Sequence, residues 1–126
     1  MLFQLFKKTP SISTKELQSR LSKEITLLDV RTPSEYRAGH IPQAINVPLN
    51  KIPAYNKSAN EVYVICQSGM RSKNAAKILA RKNYHVINVR GGMSQWSGQI
   101  KGPPQPHPPP PPPPPTPHTP PNPPPP

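Results

Sequence analysis

Apolar and polar positions along the chain follow two alternating periods. Ile25-Thr26-Leu27-Leu28-Asp29-Val30 and Val62-Tyr63-Val64-Ile65 are short aliphatic runs, the pattern of strands buried on both faces of a parallel sheet. Val86-Ile87-Asn88-Val89 is a third run, and His40 to Leu49 holds a shorter one bracketed by Pro42 and Pro48. Proline cannot donate to a ladder, so that segment is expected at or near a sheet edge. Between these runs the period lengthens. After a short extended entry at Ser11, Leu17 and Leu21 lie four apart behind a cap at Ser13 or Thr14. Thr32-Pro33-Ser34-Glu35 opens a short helix that ends at Gly39. Ala75, Ala76 and Leu79 share one face of a helix predicted over Ser72 to Lys82, with Lys73, Lys77 and Arg81 outward and Asn83 closing it in a left-handed turn. Asn50 to Asn60 reads as a polar connection, Gly91-Gly92 as a tight turn, and Met93 to Trp96 as a short closing helix or turn.

Strands and helices alternate from first to last, which predicts a small α/β domain with a mostly parallel central sheet and helices on both faces. Composition narrows its extent. Of 23 prolines, 18 fall after Gly102, and such a run lacks the amide donors of helix or interior strand. Residues 11–102 are therefore read as the domain, 1–10 as an N-terminal extension and 103–126 as a tail in polyproline II or disordered form. The tail is a linker, an appended sequence foreign to the fold, or a ligand for aromatic grooves. The opening Met1 to Lys8 is too short for a membrane span, so no stable membrane insertion is expected and the cytoplasm is the default compartment.

Sixteen Lys and Arg against five Asp and Glu give a formal net charge of +11, and no acidic residue follows Glu61. That balance draws small anions to a site, associates non-specifically with polyanions, or serves solubility. The basic residues are not interleaved with aromatics as on a nucleic-acid platform, and no nucleic acid is expected as a partner. One cysteine excludes an intrachain disulfide and a multi-cysteine metal site. His40 and His85 are isolated while His107 and His118 lie in the proline tail, so no metal ligand set is expected.

Cys66 ends the Val62-to-Ile65 run and a polar, glycine-bearing loop follows it. Ligands of open α/β sheets sit beyond the carboxyl ends of strands. A helix N-terminus there favours negative charge, and a thiolate is one form that charge takes. The amides from Gln67 to Ser72 and the Arg71 side chain would lower the thiol pKa and hold an oxyanion. A lone cysteine at a strand end is more often a small buried apolar residue; the loop around this one reverses that preference.

Leu28-Asp29-Val30-Arg31, Glu35-Tyr36, Gly39-His40-Ile41-Pro42, Ala44-Ile45-Asn46-Val47-Pro48, Cys66-Gln67-Ser68-Gly69-Met70-Arg71-Ser72 and Gly91-Gly92-Met93 with Trp96 together resemble a single-domain rhodanese, a thiosulfate sulfurtransferase. The resemblance covers about residues 11–100. It implies a rhodanese-like fold and transfer of a sulfane sulfur from thiosulfate or another persulfide donor to a thiol or cyanide acceptor. Cys66 would carry the sulfur as a persulfide, with Gln67, Ser68, Gly69, Met70, Arg71 and Ser72 binding the donor. No cofactor is implied; a small anionic donor is, with a protein persulfide as a further possible partner. Four residues between Cys66 and Arg71 match the sulfurtransferase loop, whereas related phosphatases and arsenate reductases have one more. A non-catalytic sulfur-relay or regulatory module is the competing reading.

The remaining residues have plainer expectations. Ser72 is read as a helix cap, Gly69 as a left-handed position, and Arg31 as a partner for Glu35. Asp29 is expected to bind backbone amides near the loop, His40 to be structural, and Trp96 to be a lid or a core contact. Gln43 stands where the family usually has glycine. Gln67 and Met70 replace charged residues of thiosulfate-using members, which favours a donor other than thiosulfate.

Overall fold

The computed structural model describes residues 9–102. The expected 103–126 tail and most of the 1–10 extension lie outside the described residues. Five strands form one wholly parallel sheet: β1 (Ser11–Ile12), β2 (Thr26–Asp29), β3 (Ala44–Asn46), β4 (Glu61–Ile65) and β5 (His85–Val89), in the order β1-β5-β4-β2-β3. Helices α1 (Thr14–Arg20), α2 (Pro33–Ala38), α3 (Met70–Arg81) and α4 (Gly92–Gln95) connect or close them. The proline-bracketed segment forms β3 at an edge, as expected.

Side-chain parity divides the strands between two cores. Leu27, Tyr63, Ile65, Ile87 and Val89 pack on one face with Leu17 of α1 and Trp96. Leu28, Val62, Val64 and Val86 pack on the other with Ala75, Ala76 and Leu79 of α3. Cys66 keeps the parity of Val62 and Val64 and so falls on the α3 side. Trp96 is thus a core residue, 9% exposed, with its indole N–H donating to the Gln99 carbonyl at 3.1 Å.

Local chemistry explains most element ends. Ser13 and Glu16 form a capping box on α1, and Thr32 and Glu35 form one on α2, satisfying amides that a helix start leaves unpaired. Asn83, at φ 72°, is the one non-glycine residue in the left-handed region among those described, so Gln43 fits its turn without that strain. Two expectations need correction. The connection from Asn50 to Asn60 contains most of a 3-10 helix, Leu49–Ala54, whose Ile52 is fully buried against the α3-side core. Leu49, Ile52 and Tyr55, three apart, all pack on that core, but a run this short with Pro53 inside it does not stand out from a loop. The helix predicted from Ser72 to Lys82 runs from Met70 to Arg81, because Gly69 supplies the entry through its backbone and no polar cap side chain marks the start.

Candidate functional site

Cys66 sits one residue beyond the carboxyl end of β4, and three residues carry the chain from it into α3. Gly69 is the N-cap of α3 at φ 101°, a left-handed conformation that a side chain would strain. No side chain caps that end. The Gly69 N–H instead points at the thiol and donates to Cys66 Sγ at 2.9 Å.

The loop is held from behind by the last turn of the fold. Met93 N–H donates to the Cys66 carbonyl at 2.8 Å, and Ser94 N–H to the Gln67 carbonyl at 2.9 Å. The carbonyls are thereby tied to α4 while loop amides are left for the sulfur. This contact requires glycine at position 92. A Cβ there would lie 2.2 Å from the Cys66 carbonyl oxygen, and the backbone stands at φ 57°.

Burial alone pushes the Cys66 thiol pKa up, but hydrogen bonds from the Ser72 hydroxyl and from the amides of Ser72, Gly69 and Ser68 outweigh it. The net pKa lies below the ordinary cysteine value. Cys66 itself is fully buried, whereas Gln67, Ser68 and Met70 are exposed around it.

Ser72 is not the cap. It occupies the first turn of α3, fully buried, and its hydroxyl donates to the Gly69 carbonyl at 3.1 Å. A hydroxyl has one proton, so it serves either that carbonyl or a thiolate at Cys66.

Neither arginine takes the partner expected of it, Glu35 for Arg31 and the donor anion for Arg71. Arg31 is buried and pairs with Asp29, Nε lying 2.9 and 3.1 Å and Nη2 2.7 Å from the carboxylate oxygens. Asp29 also accepts from the Arg31 amide at 3.1 Å, the backbone role expected of it. Arg31 then donates to the Gly39 carbonyl at 2.7 Å and to the Gln67 amide oxygen at 3.3 Å. It therefore ties the first loop residue after Cys66 to the end of α2.

Glu35 takes Arg71 instead. The fork is bidentate at 2.6 and 2.9 Å, a geometry that aligns two charge-assisted bonds. Hydrogen bonds from Arg71, opposed by burial and assisted by Thr32, hold the Glu35 carboxyl at about 2. Arg71 thus does meet an anion at the helix start, and that anion belongs to the protein. Glu35 was legible as a cap, but its partner lies 36 residues away and no local pattern points to it.

His40 is structural, its Nδ1 2.8 Å from the Tyr36 carbonyl and its ring stacked on Tyr36 at 3.7 Å. Among the described residues no group of three or more His, Cys, Asp or Glu is placed to hold a metal ion. No helix among them is long and apolar enough to cross a membrane.

The known proteins that resemble this chain agree with the geometry. The protein "Putative sulfurtransferase YtwF" of Bacillus subtilis is 38% identical over 95 residues, covering 71% of this chain and 92% of its own length. A protein named "Sulfurtransferase" from Allochromatium vinosum is 35% identical over 92 residues, covering 68% of this chain and 86% of its own. The crystal structure of a rhodanese-like domain protein from Staphylococcus aureus superposes with a TM-score of 0.67 at 34% identity, covering 74% of this chain and 97% of that one. Residues 13–99 match the family described as the rhodanese-like domain. With that match spanning both cores and the whole loop from Cys66 to the helix behind it, the chain belongs to the rhodanese-like domain family.

Proposed function

We propose that the protein is a sulfurtransferase in which Cys66 carries the transferred sulfur as a persulfide. The observation that supports it most directly is the 2.9 Å approach of the Gly69 N–H to Cys66 Sγ. That approach lies within a set of donors that lowers the thiol pKa despite complete burial. Lowering the pKa raises the fraction present as thiolate, the nucleophilic form, at a given pH.

The thiolate attacks the sulfane sulfur of a donor R–S–S⁻, forming Cys66–S–S⁻ and releasing R–S⁻. With thiosulfate the leaving group is sulfite. An acceptor thiolate then attacks the outer sulfur, the S–S bond breaks, and its electron pair returns to Cys66 Sγ. Cyanide would leave as thiocyanate by the same displacement. Ser68, Gly69 and Ser72 supply donors to the Cys66 thiolate, and the exposed Gln67 and Met70 lie in the same stretch of chain.

Arg71 has a different share in this scheme from the one its position suggests. Its fork is occupied by Glu35, and Gln67 and Met70 bring no charge. The loop therefore offers a dianion little beyond backbone donors, which favours a monoanionic persulfide donor over thiosulfate. Intact-mass measurement tests the reading. Persulfide donors are expected to add about 32 Da to the wild type and nothing to Cys66→Ser, with slower labelling by thiosulfate. No adduct from any sulfane donor would return the chain to the binding-module reading.

A further inference from the structure

The exposed side of α3 carries a pattern that transfer to a small thiol does not use. At 100° per residue, Met70, Lys73, Asn74, Lys77 and Arg81 fall in one stripe about 100° wide, opposite the buried Ser72, Ala75, Ala76 and Leu79. All five stripe residues are exposed. The stripe is about 16 Å long at ~1.5 Å per residue.

Its two ends differ chemically. Met70, 72% exposed, is the first residue of α3 and follows the Cys66 loop directly. A single exposed apolar side chain is ordinary on a protein surface, as at Ile45 and Ile100; what sets Met70 apart is its place directly after the Cys66 loop, and methionine adapts to varied partner surfaces. Beyond it come only cations and one amide. Among the described residues, none of Lys73, Lys77 and Arg81 has a carboxylate within 4.0 Å. The two carboxylates nearest the loop are already committed, Asp29 to Arg31 and Glu35 to Arg71. The positive field of the stripe is therefore not cancelled locally.

We propose that this stripe is the docking surface for an acidic protein whose thiol exchanges sulfur with Cys66, Met70 being the apolar anchor at the end of the Cys66 loop and Lys73, Lys77 and Arg81 the steering charges. This rests on the sulfur-transfer reading. Charge complementarity selects an anionic partner, and the chemistry of the stripe selects a protein among anions. No aromatic ring lies on it to stack a base, while an exposed thioether next to a charged row matches an apolar anchor inside a polar rim. In the exchange, the partner's thiolate attacks the outer sulfur of the Cys66 persulfide. The pair of the broken S–S bond stays on Cys66 Sγ, and the partner leaves as the persulfide.

The full chain tests this with two single-cysteine peptides of equal length, one flanked by glutamates and one by lysines, and their serine counterparts. The acidic peptide is expected to discharge the persulfide about tenfold faster than the basic one at low salt, with the advantage lost near 1 M salt. Lys73→Glu with Lys77→Glu is expected to reverse the preference while discharge to cyanide changes less than twofold. Equal rates for the two peptides, or a preference unchanged in the double variant, would overturn the proposal. Binding of the serine peptides, followed by fluorescence anisotropy, involves no sulfur chemistry and separates the two readings. Charge-dependent binding without persulfide formation would sink the transfer reading alone, and a persulfide without such binding would sink the docking surface alone. Tighter binding of a single-stranded oligonucleotide than of the acidic serine peptide would also overturn it.

Discussion

A carboxylate held at a pKa of about 2 reports on the contact between α2 and α3. Glu35 has this value mainly through the Arg71 fork, so the stabilisation has a definite pH window. A pKa depressed below the ordinary 4.5 contributes stability that is fully present above pH ~4.5 and lost as pH falls toward 2. Both side chains are about one-third exposed, so solvent screens the pair and its worth is about 1 kcal/mol. Glu35→Gln is expected to lower the urea-unfolding free energy by about that amount at pH 7. The gap to wild type should close between pH ~4.5 and 2. A gap that stays constant down to pH 2.5 would show that the ion pair is not its origin. Arg31 and Asp29, being buried, form a different kind of pair. Removing one partner would leave an uncompensated charge in the core, and their role is to hold Gln67 and the end of α2 in register.

At the scale of elements, the loop owes its shape to a turn that arrives about 25 residues later in the chain. α4 reaches back with two amides to the carbonyls of Cys66 and Gln67, and Gly92 is the point of closest approach. Gly92→Ala places a Cβ 2.2 Å from the Cys66 carbonyl oxygen in a left-handed backbone. We expect about 1–3 kcal/mol of destabilisation together with several-fold slower alkylation of Cys66, because the displaced carbonyl disturbs the amides facing the sulfur. Thermal unfolding and iodoacetamide kinetics measured on the same variant check this. Wild-type alkylation in a destabilised variant would mean that the turn supports the fold without shaping the loop. The Gly-Gly pair was legible as a turn; its contact with the Cys66 carbonyl was not, since nothing in a local window records which backbone a turn will touch.

For the molecule as a whole, the described residues close on themselves before the proline tail begins. His40 and Lys101 form an antiparallel bridge through bonds of 2.9 and 2.7 Å, so the chain is pinned beside α2 just ahead of Gly102. Ending the chain at Gly102 is expected to change the unfolding free energy by less than about 0.5 kcal/mol and to leave the rate of persulfide discharge to cyanide unaltered. A drop in either would assign residues 103–126 a part in the domain.

Much of this protein was determined by its sequence alone. Aliphatic runs at Leu27, Val64 and Ile87 alternate with helical spacing and dictate a buried parallel sheet. Strand parity sends Cys66 to the α3 side, and the glycine-bearing loop puts amides around its sulfur. These are local consequences of side-chain period and backbone freedom, and they are complete within a few residues. Tertiary structure alone decided the pairing of charges. Arg31 turned to Asp29, Glu35 took Arg71 across 36 residues, and α4 closed on the loop from behind. An ion pair depends on which ends of which elements the sheet order brings together, and that order is a property of the packed molecule.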